Sequence, residues 1–90
     1  MSVLIKKIVK HYNSEEWDKA KYYVLLALEK NPVDHWLLTR LSSIYYELRK
    51  YKRALKIAKK ALKIAPSCPL VLWDYGCSLY ALGKYKEAID

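Results

Sequence analysis

Residues 53–66 read RALKIAKKALKIAP, and the spacing of their small side chains decides the fold. Ala54, Ala58 and Ala61 recur three and four residues apart, with Leu55 and Leu62 beside them, which puts them on one face of a helix. A stripe of alanines lets a second helix approach closely, because the distance between packed helices follows the side chains at the contact. Pro66 then ends the helix, since it lacks an amide donor and its ring clashes with the preceding turn. The stretch is therefore half of a helical pair. Upstream, HWLLTRLSSIYYEL (residues 35–48) carries Leu37, Leu38, Leu41, Ile44, Tyr45 and Leu48 at the same spacings and is predicted to be the other half. Only Arg49 and Lys50 separate the two, a link short enough to force an antiparallel hairpin.

The pair recurs along the chain. A shift of 34 residues aligns Leu4 with Leu38 and Leu72, and Tyr12 with Tyr46 and Tyr80. The same shift brings Trp17, Tyr51 and Tyr85 into one column and Ala20, Ala54 and Ala88 into another. Ala27, Leu28 and Pro32 match Ala61, Leu62 and Pro66. In the first unit Ser14 is expected to cap the second helix ahead of Glu15 and Glu16, where acidic side chains suit the helix dipole. In the third unit Gly83 is expected to supply a left-handed stop.

The spacing Leu38-x2-Leu41-Ser42-x2-Tyr45, followed by Ala54, Ala58, Ala61 and Pro66, resembles the tetratricopeptide repeat (TPR). Leu72-x2-Tyr75-Gly76-x2-Leu79, then Gly83, Tyr85 and Ala88, repeats it. The resemblance covers the whole chain as a single domain, residues 1–90, with repeats at 1–34 and 35–68 and a partial one at 69–90. It implies an all-α fold, a right-handed superhelical solenoid of antiparallel helical hairpins whose first helices line a concave groove. Ile8 in the small-residue slot and Lys7 in an apolar slot mark the first helix as an atypical cap. The third unit stops at Asp90 before its second helix is complete, which leaves Leu72, Leu79, Ala88 and Ile89 as an expected self-association edge for a homodimer.

Carried over slot by slot, the resemblance implies a groove formed by Ile5, Val9 and Tyr12 from the first helix. The second repeat would add Trp36, Arg40, Ser43 and Tyr46, and the third Leu70, Trp73, Asp74, Cys77 and Tyr80. Trp36 and Trp73 read as an aromatic binding patch, whereas the three tyrosines fit inter-repeat packing as readily as binding. The expected function is a non-catalytic scaffold that binds a protein partner, a peptide or a helix, in this groove. TPR domains that clamp the C-terminal carboxylate of chaperone tails use Lys, Arg and Asn. Here those slots hold Ile5, Val9, Arg40, Leu70 and Asp74, so a chaperone C-terminal tail is disfavoured as partner.

The chain carries 17 Lys and Arg against 9 Asp and Glu, a net charge of +8 that admits nucleic acid or anionic surfaces as partners. Lys52, Lys56, Lys59 and Lys63 form one stripe on the expected convex back, so RNA or nucleic-acid binding there is the alternative function. The stripe lacks interleaved aromatics for base stacking, and a solvated face explains it more plainly. Lys6, Lys7 and Lys10 beside Leu4, Ile5, Ile8 and Val9 make a basic amphipathic helix, for which packing is again a better account than membrane binding. The longest apolar run, residues 22–28, falls far short of a bilayer span of ~20 residues. Cys68 and Cys77 have no surrounding cysteine framework and read as reduced thiols, so a cytoplasmic location is expected. Neither HExxH nor CxxC occurs, His11 and His35 stand far apart, and no glycine-rich phosphate loop is present. No cofactor, no metal and no enzymatic activity are expected.

Overall fold

The alanine stripe is where two helices meet. Ala54, Ala58 and Ala61 are all buried, and the Ser42 hydroxyl donates a hydrogen bond to the Ala54 carbonyl at 3.1 Å across the contact. A serine side chain reaches a neighbouring backbone only where the two helices lie close together. The computed structural model describes residues 2–83 and forms five helices: α1 (Val3–Asn13), α2 (Trp17–Lys30), α3 (His35–Glu47), α4 (Tyr51–Ile64) and α5 (Pro69–Ala81). No strand occurs among the described residues. α1 packs on α2 and α3 on α4 as hairpins, while α2 meets α3, α4 meets α5, and α3 reaches α5 directly. The result is an all-α repeat solenoid measuring 40 × 24 × 18 Å. The expected second helix of the third repeat, with Tyr85, Ala88 and Ile89, lies outside the described residues.

Two hydrophobic clusters hold the layers. Ile8 of α1, Val24 of α2 and Leu37, Leu41 and Ile44 of α3 enclose the small Ala20 and Ala27. Leu38, Ala61 and Val71 then tie α3, α4 and α5 together. The first helix of each unit has its own start signal. Ser2 Oγ accepts from the Ile5 amide, Asp34 Oδ1 accepts from the amides of Trp36 and Leu37, and Pro69 opens α5 in its first turn. Pro32 and Pro66 follow the ends of α2 and α4, as their chemistry requires.

The turns inside the hairpins differ from expectation. Ser14 is the C-cap of α1 rather than the N-cap of α2, and Leu48 is the C-cap of α3 rather than its last helical residue. Glu15, Arg49 and Gly83, one in each repeat, occupy the left-handed region with φ of 58°, 61° and 77°. The Glu15 amide donates to the Tyr12 carbonyl and the Glu16 amide to the His11 carbonyl; Arg49 and Lys50 make the same pair of bonds to Tyr46 and Tyr45. This is the Schellman closure, which satisfies the carbonyls orphaned at a helix end and normally places glycine at the left-handed residue. Arg49 is exposed, and its left-handed backbone costs a side-chain-bearing residue ~1–2 kcal/mol. Arg49→Gly should therefore raise unfolding free energy by ~0.5–1 kcal/mol, the relief being partly offset by the greater freedom of glycine in the unfolded chain. Urea denaturation checks this, and a loss of stability would show that the arginine side chain contributes to the turn.

Candidate functional site

The first helices of the three units, α1, α3 and α5, converge on one side of the molecule. Asp34 capping sets the start of α3, and Pro69 sets the start of α5, so that Arg40 and Ser43 face Trp73, Asp74 and Cys77. A cleft of about 290 Å³ opens between them, lined by Tyr12, Arg40, Ser43, Tyr46, Leu70, Trp73, Asp74 and Cys77 among the residues expected from the sequence. A second, shallower and more apolar groove of about 620 Å³ continues along α5, where Tyr46, Trp73, Cys77 and Tyr80 meet Pro69, Leu72 and Gly76. Trp73 stands 72% exposed between the two clefts and belongs to both.

The other expected groove residues lie elsewhere. Ile5 and Trp36 are half-buried and pack against the first hydrophobic cluster, Val9 is exposed on α1, and none of the three lines either cleft. Trp36 instead supports Arg40, whose guanidinium lies 5.7 Å over its ring and 4.9 Å over the ring of Tyr12. Such cation–π contacts hold the guanidinium in a fixed plane. Tyr12 and Tyr46 also meet the start of the following helix edge-on, against Trp17 at 5.2 Å and Tyr51 at 5.4 Å. These two tyrosines thus serve packing and cleft at once. On the expected self-association edge, Leu72 is 49% exposed, but Leu79 is buried in the last turn of α5. Leu79 therefore adds no exposed apolar surface there, and Ala88 and Ile89 lie outside the described residues. Lys52, Lys56, Lys59 and Lys63 are all exposed on α4, away from both clefts.

Polar chemistry in the cleft centres on Asp74. Ser43 Oγ donates to its Oδ1 at 3.3 Å, while Oδ2 is buried without a partner, as are Arg40 Nε and Ser78 Oγ. Burial pushes the Asp74 carboxyl from the ordinary 3.8 up to about 6, against the opposing pull of Arg40 and the Ser43 hydrogen bond. Burial, and then the neighbouring Asp74, raises the Cys77 thiol. A raised carboxyl makes the charged form a cost to the fold. That cost is present in full above about pH 6, fades as pH falls through 6, and is gone below the unfolded value of 3.8. Asp74→Asn keeps the acceptor for Ser43 and removes the charge. It should stabilise the fold at pH 7.5 by ~1–2 kcal/mol, because solvent screens part of the cost at this partly exposed carboxyl, and should leave stability unchanged near pH 3.5. Thermal melts at the two pH values check the sign.

Ser42, Pro69, Gly76 and Ser78 line the clefts without having been assigned to the groove from the shift of 34. Ser78 falls in the column of Ile44, a core residue, so the repeat pattern pointed away from it; the serine itself was the only signal. Outside the clefts, His11 Nδ1 lies 2.9 Å from Glu16 Oε1, and Lys19 Nζ donates to Glu16 Oε2 at 3.2 Å. Glu16 thus braces the first hairpin turn. Glu16, at the N-cap of α2, makes no side-chain cap bond, and its carboxyl is lowered first by the His11 contact and then by Lys19. No group of three or more metal-ligating side chains comes together among the described residues, and no described helix is long and apolar enough to cross a membrane.

The fold is shared with solved TPR domains. The first TPR of Spaghetti (RPAP3), bound to the HSP90 peptide SRMEEVD, superposes with a TM-score of 0.89 at 26% identity over 96% of this chain and 70% of that one. An Arabidopsis OM64 TPR domain gives a TM-score of 0.89 at 23% identity, covering 96% of this chain and 71% of that one. MamA from AMB-1 gives 0.84 at 22% identity over 97% of this chain, which spans 48% of MamA. Residues 13–90 match the family model described as anaphase-promoting complex, cyclosome, subunit 3. With its helical hairpins, alanine contacts and repeated turns, the chain belongs to that family and is built of tetratricopeptide repeats.

Proposed function

We propose that this chain is a non-catalytic interaction module that binds a peptide or helix of a protein partner along α3 and α5. The observation that carries this is Trp73, a large aromatic side chain standing 72% exposed between a polar cleft and an apolar groove. Exposed aromatics flanked by apolar surface are frequent anchors of interfaces. Leu70, Leu72 and Tyr80, each about half exposed, extend the apolar strip along α5. TPR domains serve generally as protein-interaction modules, and the Spaghetti domain holds its peptide on the same fold. That peptide ends in an acidic tail. In this chain Asp74 shares the cleft with Arg40, which opposes a terminal carboxylate, so a ligand of different chemistry is favoured. The free thiols of Cys68 and Cys77 suit a reducing compartment such as the cytoplasm.

A displayed library of random peptides, selected against the folded protein, tests the proposal. Selected peptides should lose at least ~30-fold in affinity, ~2 kcal/mol, against Trp73→Ala and respond weakly to salt. Binding that ignores Trp73 would sink the groove. Steep salt dependence, with loss on neutralising Lys52, Lys56, Lys59 and Lys63, would favour the nucleic-acid alternative.

A further inference from the structure

Another groove lies on the other side of α3, between α2 and α4, and shares no residue with either cleft. Leu25 and Leu28 of α2 and Ile57 of α4 form its walls, Leu38 and Leu41 of α3 its floor, and its volume is about 330 Å³. Helical spacing explains the position, since Leu38 and Leu41 stand on the face of α3 opposite Arg40 and Ser43. Leu25 is 41% exposed, and Leu28 and Ile57 are half-buried, so an incoming side chain can touch the walls. The two rims differ in charge, with Glu29 on the α2 side and Lys60 on the α4 side. Lys56 and Lys63 neighbour Lys60 at spacings of four and three, and Arg53 neighbours Lys56 at three. All four cations are exposed, α4 carries no acidic residue, and neither of the two ion pairs among the described residues involves it.

We propose that this groove docks an acidic amphipathic helix of another protein, with aliphatic side chains in the groove and carboxylates along α4. The inference is independent of the site along α3 and α5 and gives the module a second interaction surface. The groove offers no strand edge and only two polar side chains, so its ligand must satisfy its own backbone. A helix does so and presents side chains at i, i+3 and i+4 to an apolar trough. Four cations along one rim then select among helices, because they attract carboxylates and hold off basic partners. Glu29 sets the polarity, since it turns the acidic edge of the ligand away from α2 and over α4. The same features exclude other occupants. A second copy of this chain, at +8, is repelled. A phosphate backbone would meet the lysines but leave the apolar walls bare, and no aromatic side chain lines the groove to stack a base.

The test selects displayed random peptides on the Trp73→Ala protein, which lacks the anchor of the other site. Selected peptides should carry Asp or Glu beside aliphatic residues at helical spacing. On the isotopically labelled wild-type chain they should move the amide signals of Leu25, Leu28 and Ile57 in nitrogen-correlated NMR spectra. The Arg40 Nε–H and Trp73 indole N–H signals should stay in place. Leu25→Ser, and Lys56→Glu combined with Lys60→Glu, should each weaken binding by ~10-fold or more. Lys6→Glu combined with Lys10→Glu makes the same change in net charge at exposed positions of α1 and should have little effect. Glu29→Lys, at an exposed rim position, should strengthen binding by ~3-fold or more, and it decides the matter should Leu25→Ser fail to fold. Equal losses from the two double variants, or peptides without carboxylates, overturn the proposal. Loss with Lys56 and Lys60 but not with Leu25, together with displacement by single-stranded RNA, assigns the face to a phosphate polymer and overturns it as well. Peptides selected on wild type but not on Trp73→Ala leave the site along α3 and α5 standing and remove this one.

Discussion

Leu38→Ala should lower the unfolding free energy by ~2–5 kcal/mol and bring the melting transition down sharply. Leu38 is 2% exposed and forms, with Ala61 and Val71, the cluster that ties α3, α4 and α5 together. Its two small or β-branched neighbours cannot expand into the space left, so the cavity term is expected in full. For a domain of this length such a loss is a large part of the whole stability. Leu72 supplies the control. It is the same residue one repeat later, yet it is 49% exposed, so Leu72→Ala should cost ~1 kcal/mol or less. Urea titration of the two variants checks the contrast. Equal costs would mean that α5 is covered in solution by something packed against Leu72, a second copy of the chain being the first candidate to test by light scattering.

The pairing of Leu38 with Leu72 shows how far the sequence can be read. The repeat of 34 residues located all five described helices, because the alanines, the prolines and the leucine spacing all report backbone packing directly. α4 begins at Tyr51 and ends at Ile64, as its apolar face requires. Side-chain exposure is another matter, since it depends on which neighbour covers each column, and that changes along a short array. Hence Leu79 is buried although its stripe-mate Leu72 is open, and Trp36 lies against the core under Arg40 while Trp73 stands in solvent. The hairpin turns were hidden for a different reason. A left-handed turn usually announces itself with glycine, but Glu15 and Arg49 hold two of the three positions, so Ser14 looked like the start of a helix rather than the end of one. The polar end of the cleft was half visible. Arg40 and Asp74 could be assigned to facing slots, whereas their missing partners, and that of Ser78, exist only in three dimensions.

Ala54→Trp should cost at least ~3 kcal/mol, and its consequences should reach the cleft on the other side of α3. Ala54 is fully buried, and its carbonyl accepts the hydrogen bond from Ser42. An indole in that slot must push α4 away from α3, which both strains the packing and strands the Ser42 hydroxyl in a buried site. Two controls separate size from other effects. Ala54→Gly keeps the space and should cost only the ~1 kcal/mol of helix propensity. Lys52→Trp puts the same indole on the exposed face of α4 and should change stability by no more than ~0.5 kcal/mol. Ser43, the next residue along α3, donates to Asp74 of α5, so a displaced α3 also disturbs the polar end of the cleft. Any folded Ala54→Trp protein should therefore show altered Arg40 Nε–H and Trp73 indole signals, although the substitution touches neither residue. Full stability with unmoved signals would mean that the two helices of the hairpin stand farther apart than the 3.1 Å hydrogen bond between Ser42 and Ala54 requires.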